Sequence, residues 1–172
     1  MNPHNIILIG FMGTGKTTVG RRLADRTGWS FVDVDEYIVE TEQRPISDMF
    51  ARDGEERFRA IETAALQTLL AGEGKIVSTG GGAVLREENR RLMKQRGLVV
   101  ALKASKQTIM ARLRHDRSRP LLAGNLEERV NKLLAERATA YDFADLILQT
   151  DGHPPDELAT AIIQRMKQVG MG

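Results

Sequence analysis

Apolar positions along the chain follow two rhythms. Short unbroken β-branched runs mark buried strands, and recurrence every three or four residues marks helices. The first run is Ile6 to Ile9. A helix is expected from Lys16 to about Arg26, with Val19, Leu23 and Ala24 facing inward and Gly28 as its stop. "FVDVD", Phe31 to Asp35, alternates like the end of a strand, which sets Asp33 and Asp35 on one side. Residues 36–53 read as one or two short helices broken near Pro45. Glu55 to Leu70 has helical periodicity through Phe58, Ile61, Ala65 and Leu69. "KIVSTGGG" is a strand and then a glycine turn. A polar helix from Arg86 to Arg96, the strand "GLVVALKA" and a helix from Gln107 to Arg114 follow. Ser118 to Asn125 reads as a loop, Leu126 to Tyr141 as a helix, "ADLILQT" as a strand and Pro155 to Val169 as a closing helix. Five strands alternating with helices predict an α/β sandwich around a mostly parallel sheet. With no internal repeat or linker, 1–172 is expected to be a single domain.

Composition narrows the classes. Apolar residues are 41% and charged residues 28%, an ordinary globular balance. There are no cysteines, so disulfides are excluded and a cytoplasmic location is expected. No apolar run is long enough to span a membrane, and the first residues lack the basic and apolar regions of a signal peptide. Aromatics at 5% and a net charge of +2 argue against a nucleic-acid partner. Of 25 Lys and Arg, 18 are Arg, a side chain that grips phosphates and carboxylates in bidentate fashion.

Gly10-Phe11-Met12-Gly13-Thr14-Gly15-Lys16-Thr17 fits G-x-x-x-x-G-K-[ST] at every fixed position, after a strand and before a helix. Glycines let consecutive backbone N–H groups turn inward around an anion, and the helix N-terminus adds its partial positive charge. Lys16 should reach the β- and γ-phosphates of a nucleotide, and Thr17 should ligate Mg²⁺. Three further clusters fall where strands should end, the edge at which open α/β sheets bind ligands. Of Asp33 and Asp35, one would hold Mg²⁺ through water and the other would accept a proton from an attacking hydroxyl. Capping a helix there would need Asp35 alone. Gly80, Gly81 and Gly82 suit a place where backbone approaches a ligand closely. Arg112, Arg114, Arg117 and Arg119 crowd a short span that would close over phosphates. Arg57 or Arg59, together with Arg137, would clamp a carboxylate, unless each sits in an ordinary ion pair.

As a set these stretches resemble the shikimate kinase family. "GFMGTGKTTVGRRLA", "FVDVDEYIV", "FARDGEERFRAIE", "VSTGGGAV", "SRPLL" and "ERATAYDFADL" match it in order over nearly the whole chain. The resemblance implies a P-loop kinase fold, a three-layer sandwich around a five-stranded parallel sheet of order 2-3-1-4-5. It implies transfer of the γ-phosphoryl of ATP to the 3-hydroxyl of shikimate, with Mg²⁺, on the route to chorismate and the aromatic amino acids. By that resemblance Gly13, Thr14, Gly15, Lys16, Thr17 and Thr18 hold the ATP phosphates. Arg112 stacks on adenine, and Arg119 is a lid arginine facing the phosphates. Thr17 and, through water, Asp33 hold the metal. Asp35 bonds shikimate hydroxyls and is the candidate base. Arg59 and Arg137 grip the shikimate carboxylate, and Gly80, Gly81 and Gly82 line its ring. A mobile shikimate-binding segment (about 36–60), a lid (about 112–125) and a monomer are also expected. The family often has Pro and Leu in "ERxPLY"; this chain reads "ERATAY". Gluconate and adenylate kinases share the loop and lid, but do not predict the paired acids with three glycines and two carboxylate-binding arginines. A regulatory P-loop switch would hydrolyse ATP whatever sugar acid is present.

Overall fold

The protein is described from a computed structural model, which covers residues 4–115 and 125–171. Its elements run β1 (Asn5–Ile9), α1 (Lys16–Thr27), β2 (Ser30–Asp33), α2 (Val34–Glu42), α3 (Ile46–Asp53) and α4 (Glu55–Leu70). β3 (Lys75–Ser78), a 3₁₀ turn (Ala83–Leu85), α5 (Glu87–Arg96) and β4 (Gly97–Lys103) follow. α6 (Lys106–Arg114), α7 (Leu126–Glu136), β5 (Leu146–Gln149) and α8 (Pro155–Gln168) complete the chain.

The five strands form one sheet in the order β2-β3-β1-β4-β5, and every neighbouring pair is parallel. β1 is central, and all five of its residues are buried, as a parallel strand covered on both faces requires. Alternation along β1 separates two cores. Ile7 and Ile9 join Val77, Val99 and Ala101 on one face, against Met49, Phe58, Leu66 and Met93. Ile6 and Leu8 join Ile76, Val100 and Leu102 on the other, against Val19 and Leu23 of α1 and Leu158 and Ile162 of α8. A third cluster, with Phe11, Met12, Ile109, Leu113 and Val130, underlies the loop after β1.

Two boundaries differ from expectation. β2 stops at Asp33 and α2 begins at Val34, so Asp35 lies in the first turn of a helix and not beside Asp33 on a strand. Asp33 is the residue that caps α2. α7 ends at Glu136 rather than Tyr141, and residues 137–141 form turns. The reason for the second lies in what Arg137 and Tyr141 reach, as described below. The expected loop at Ser118 to Asn125 lies, apart from Asn125, outside the described residues.

Candidate active site

Parallel pairing puts the C-terminal ends of β1, β2 and β3 on one edge, and the candidate residues gather there. The loop after β1 turns on glycines. Gly10 has φ 146°, and a Cβ there would come within 2.4 Å of the Leu102 carbonyl oxygen, so only glycine fits. Thr14 turns its hydroxyl inward and donates to the Phe11 carbonyl at 2.8 Å. Lys16 reaches back over the loop, and its Nζ donates to the carbonyls of Gly10 (2.7 Å) and Phe11 (2.9 Å). Arg112 crosses from α6, and its Nη1 donates to the Gly13 carbonyl at 2.8 Å.

Lys16 and Arg112 line a cavity of about 190 Å³. Gly13, Gly15, Lys16, Thr17 and Thr18 form one wall, with Arg112 beside them. Asp33, Asp35 and the run Ser78 to Gly81 form the rest. Despite the shifted strand end, both acids therefore face the loop that precedes α1. Asp33 Oδ1 accepts the Glu36 backbone N–H at 3.0 Å, which satisfies one of the unpaired amides at the start of α2.

The glycines after β3 explain themselves by what occupies their missing side chains' space. A Cβ on Gly80 would lie 3.2 Å from Asp35 Oδ1 and 3.4 Å from Glu62 Oε2. On Gly81 it would lie 2.9 Å from Arg137 Nη1, and on Gly82 2.4 Å from Arg59 Nη2. Three consecutive glycines thus admit two carboxylates and two guanidinium groups to one short stretch of backbone. Arg59 and Arg137 are 9% and 6% exposed. Arg57, the alternative on the same helix, lies instead in an outer groove with Tyr37 and Thr41, between α2 and α4.

Glu62 belongs to this cluster, and the sequence reading assigned it no role. It is fully buried. Its Oε1 accepts from Arg59 Nη1 at 2.9 Å, while its Oε2 has no hydrogen-bond partner. Burial pushes its carboxyl above the ordinary value of 4.5, against the pull of Arg59. Its spacing three residues after Arg59 on one helix face was the available signal. Arg137 also carries an orphan: its buried Nη1 has no partner in the ligand-free protein. Tyr141 closes the cluster, with its phenol donating to the Gly81 carbonyl at 2.8 Å. Arg137 and Tyr141 both turn to the same glycine stretch, and α7 unwinds before them. Arg117 and Arg119 lie outside the described residues; Arg114 is exposed at the end of α6.

A glycine-rich loop carrying Lys16 abuts a pocket walled by two acids, with two buried arginines beside it, an arrangement suited to anions. Comparisons with known proteins agree with that chemistry. The family model for shikimate kinase matches residues 12–167. The shikimate kinase of Thermodesulfovibrio yellowstonii is 43% identical over 98% of this chain and 98% of its own length. That of Geobacter sulfurreducens is 46% identical over 92% of this chain and 88% of its own. A solved structure of shikimate kinase from Acinetobacter baumannii in complex with shikimate superposes with a TM-score of 0.91 at 36% identity, covering 99% of this chain and 96% of that one. The chain belongs to the shikimate kinase family.

Proposed function

We propose that this kinase moves the γ-phosphoryl of ATP to the 3-hydroxyl of shikimate across the cavity between the phosphate-binding loop and the triple glycine. The observation that carries the reading is the glycine run. Its absent side chains admit Asp35, Arg137 and Arg59 in sequence order, so an acid and two cations converge beside the loop that holds the nucleotide.

In this reading Gly13 to Thr18 hold the ATP phosphates through backbone amides and Lys16, which trades its loop carbonyls for phosphate oxygens. Arg112 leaves Gly13 to lie against adenine, and Arg119 faces the phosphates. Arg59 and Arg137 grip the shikimate carboxylate, and the unpaired Arg137 Nη1 gains its acceptor there. Glu62 holds Arg59 in place. Asp35 orients the 3-hydroxyl and takes its proton. Thr17 and Asp33 offer the hard oxygen donors that Mg²⁺ prefers. Among the described residues no group of three or more His, Cys, Asp or Glu gathers to hold a metal, and in this reading the metal arrives with the nucleotide. When bound it would neutralise charge on the transferring phosphate. The proposed state is a monomer. No helix among the described residues is long and apolar enough to cross a membrane, and the proposed location is the cytoplasm.

ADP release from Mg²⁺-ATP, measured with shikimate, gluconate or AMP as acceptor, tests the assignment. Shikimate alone should accelerate it. Equal turnover with gluconate would defeat the reading, since gluconate lacks the ring that the glycines line.

A further inference from the structure

We infer that Tyr141 is a positioning residue for the substrate carboxylate: its phenol fixes the Gly81–Gly82 peptide against which Arg137 is set. The inference rests on the proposed role of Arg59 and Arg137.

Three adjacent glycines have no side chains to pack, and glycine loses more freedom on ordering than any other residue. The turn must be tied from outside itself or through its carbonyls. The Gly80 carbonyl accepts from the Ala83 amide and the Gly82 carbonyl from the Leu85 amide, each at 3.1 Å. The Gly81 carbonyl accepts from the Tyr141 phenol at 2.8 Å, a bond that joins positions 60 residues apart in sequence. A trans peptide points its C=O and the next N–H in opposite directions. Capture of the Gly81 oxygen therefore also fixes where the Gly82 N–H points, away from the phenol.

The same glycine meets Arg137. A Cβ on Gly81 would lie 2.9 Å from Arg137 Nη1, the atom left without a partner. Tyr141 follows Arg137 by four residues, and both line a cavity of about 130 Å³ behind the phosphate-binding loop, with Phe11 and Leu134. Tyr141 is 6% exposed, so the ring is held by its surroundings, with the hydroxyl donating to Gly81 and meeting the Arg137 guanidinium. Burial raises the phenol above its ordinary value and the neighbouring Arg137 opposes that, which keeps the hydroxyl protonated as a donor. One side chain thus sets both the peptide plane and the arginine beside it.

Tyr141→Phe removes the hydroxyl and keeps the ring. Shikimate KM should rise about three- to tenfold, the value of one uncharged hydrogen bond. The change in kcat at saturating shikimate and in KM for ATP should be far smaller. The preference for shikimate over its carboxamide should shrink, which a purely structural role would not cause. 4-Aminophenylalanine at position 141 keeps the ring and restores a donor, and should return shikimate KM to within about twofold of wild type. It also serves if Tyr141→Phe does not fold, since failure of this rescue overturns the inference. So does an unchanged shikimate KM in folded Tyr141→Phe, or an equal rise in KM for ATP. Arg137→Ala is measured alongside. If it raises shikimate KM and Tyr141→Phe does not, only the role of Tyr141 falls. If neither does, the carboxylate site itself is refuted and the inference goes with it.

Discussion

Asp33 and Asp35 are two residues apart, and the fold gives them different work. Asp33 ends β2 and caps α2; Asp35 sits in the first turn of α2, against Gly80. A cap does not need its charge, since Asn caps a helix as well as Asp. Asp33→Asn should therefore melt near wild type yet raise the Mg²⁺ concentration needed for half-maximal rate; an unchanged Mg²⁺ titration would remove Asp33 from the metal site. Asp35→Asn should lower kcat by about 10²–10⁴, the range for a general base, with ATP affinity nearly unaltered. A kcat near that of wild type would leave Asp35 as a structural residue. The two acids were legible as a pair because three residues carry both. Their division of labour was not, because alternation in "FVDVD" looks the same whether the strand ends at Asp33 or Asp35. Glu62 was illegible for another reason: among the three Glu of a helix beginning "EERFRAIE", only packing shows which carboxylate is buried. Burial raises its pKa, so acid protonates Glu62 while the protein is still folded. The sign follows from linkage. The stability contributed by neutral Glu62 is complete below the ordinary value of 4.5 and is lost as pH rises through the raised one. Acidification therefore weakens the charge pairing with Arg59 without unfolding the protein. Shikimate KM should begin to rise on acidification above pH 4.5, with no matching loss of melting temperature. In Glu62→Gln that limb should be flat. A limb that survives in the variant does not belong to Glu62.

The elements between Asp35 and Arg59 form a bracket whose two ends stand in the site. α2 carries Asp35, α4 carries Arg59, and α3 lies between them. Inside the bracket Met49 is fully buried and Arg44 pairs with Asp53, which ties the turn after α2 to the end of α3. A ligand touching Asp35 and Arg59 together would brace both ends at once. Amide exchange over residues 36–60 should then slow when shikimate binds, and slow less in Arg59→Ala, where one end is released. Equal exchange with and without shikimate would show the segment to be a fixed part of the core. Helix and strand positions here were legible to within a few residues, because periodicity and Gly or Pro punctuation are local. The end of α7 was not. "ERATAY" has good helix formers, but Tyr141 bonds to the glycine stretch after β3 and Arg137 packs against it, and those tertiary contacts override local preference.

At the scale of the molecule, alternation of strands and helices predicts a parallel sheet but no strand order. The order β2-β3-β1-β4-β5 came from the family resemblance, and it matters because it places β1 and β3 side by side. Only that adjacency brings the phosphate-binding loop against the triple glycine, and so joins nucleotide to acceptor. The same sheet can serve other kinases, so function resides in the side chains set on its edge. Those side chains are not arranged for stability. Arg137 is buried with an Nη1 that has no partner and that a bound anion would satisfy, and a buried unsatisfied donor costs about 1–3 kcal/mol. Against this, its guanidinium lies 5.8 Å from the centre of the Phe11 ring, a contact that returns part of the cost. Arg137→Met fills similar space with no donor. The ligand-free variant should melt at least as high as wild type, since sites tuned for binding are often strained without ligand. Shikimate at about 100 times its Kd should stabilise wild type by about 2.7 kcal/mol, and the same concentration should shift the variant far less. For a domain of this size 1 kcal/mol moves the melting temperature by about 2–4 °C, so both effects are measurable. A ligand-free variant that melts more than about 4 °C below wild type would show that Arg137 earns its place structurally. A variant with a full shikimate-induced shift would show that the orphaned guanidinium does not wait for the carboxylate.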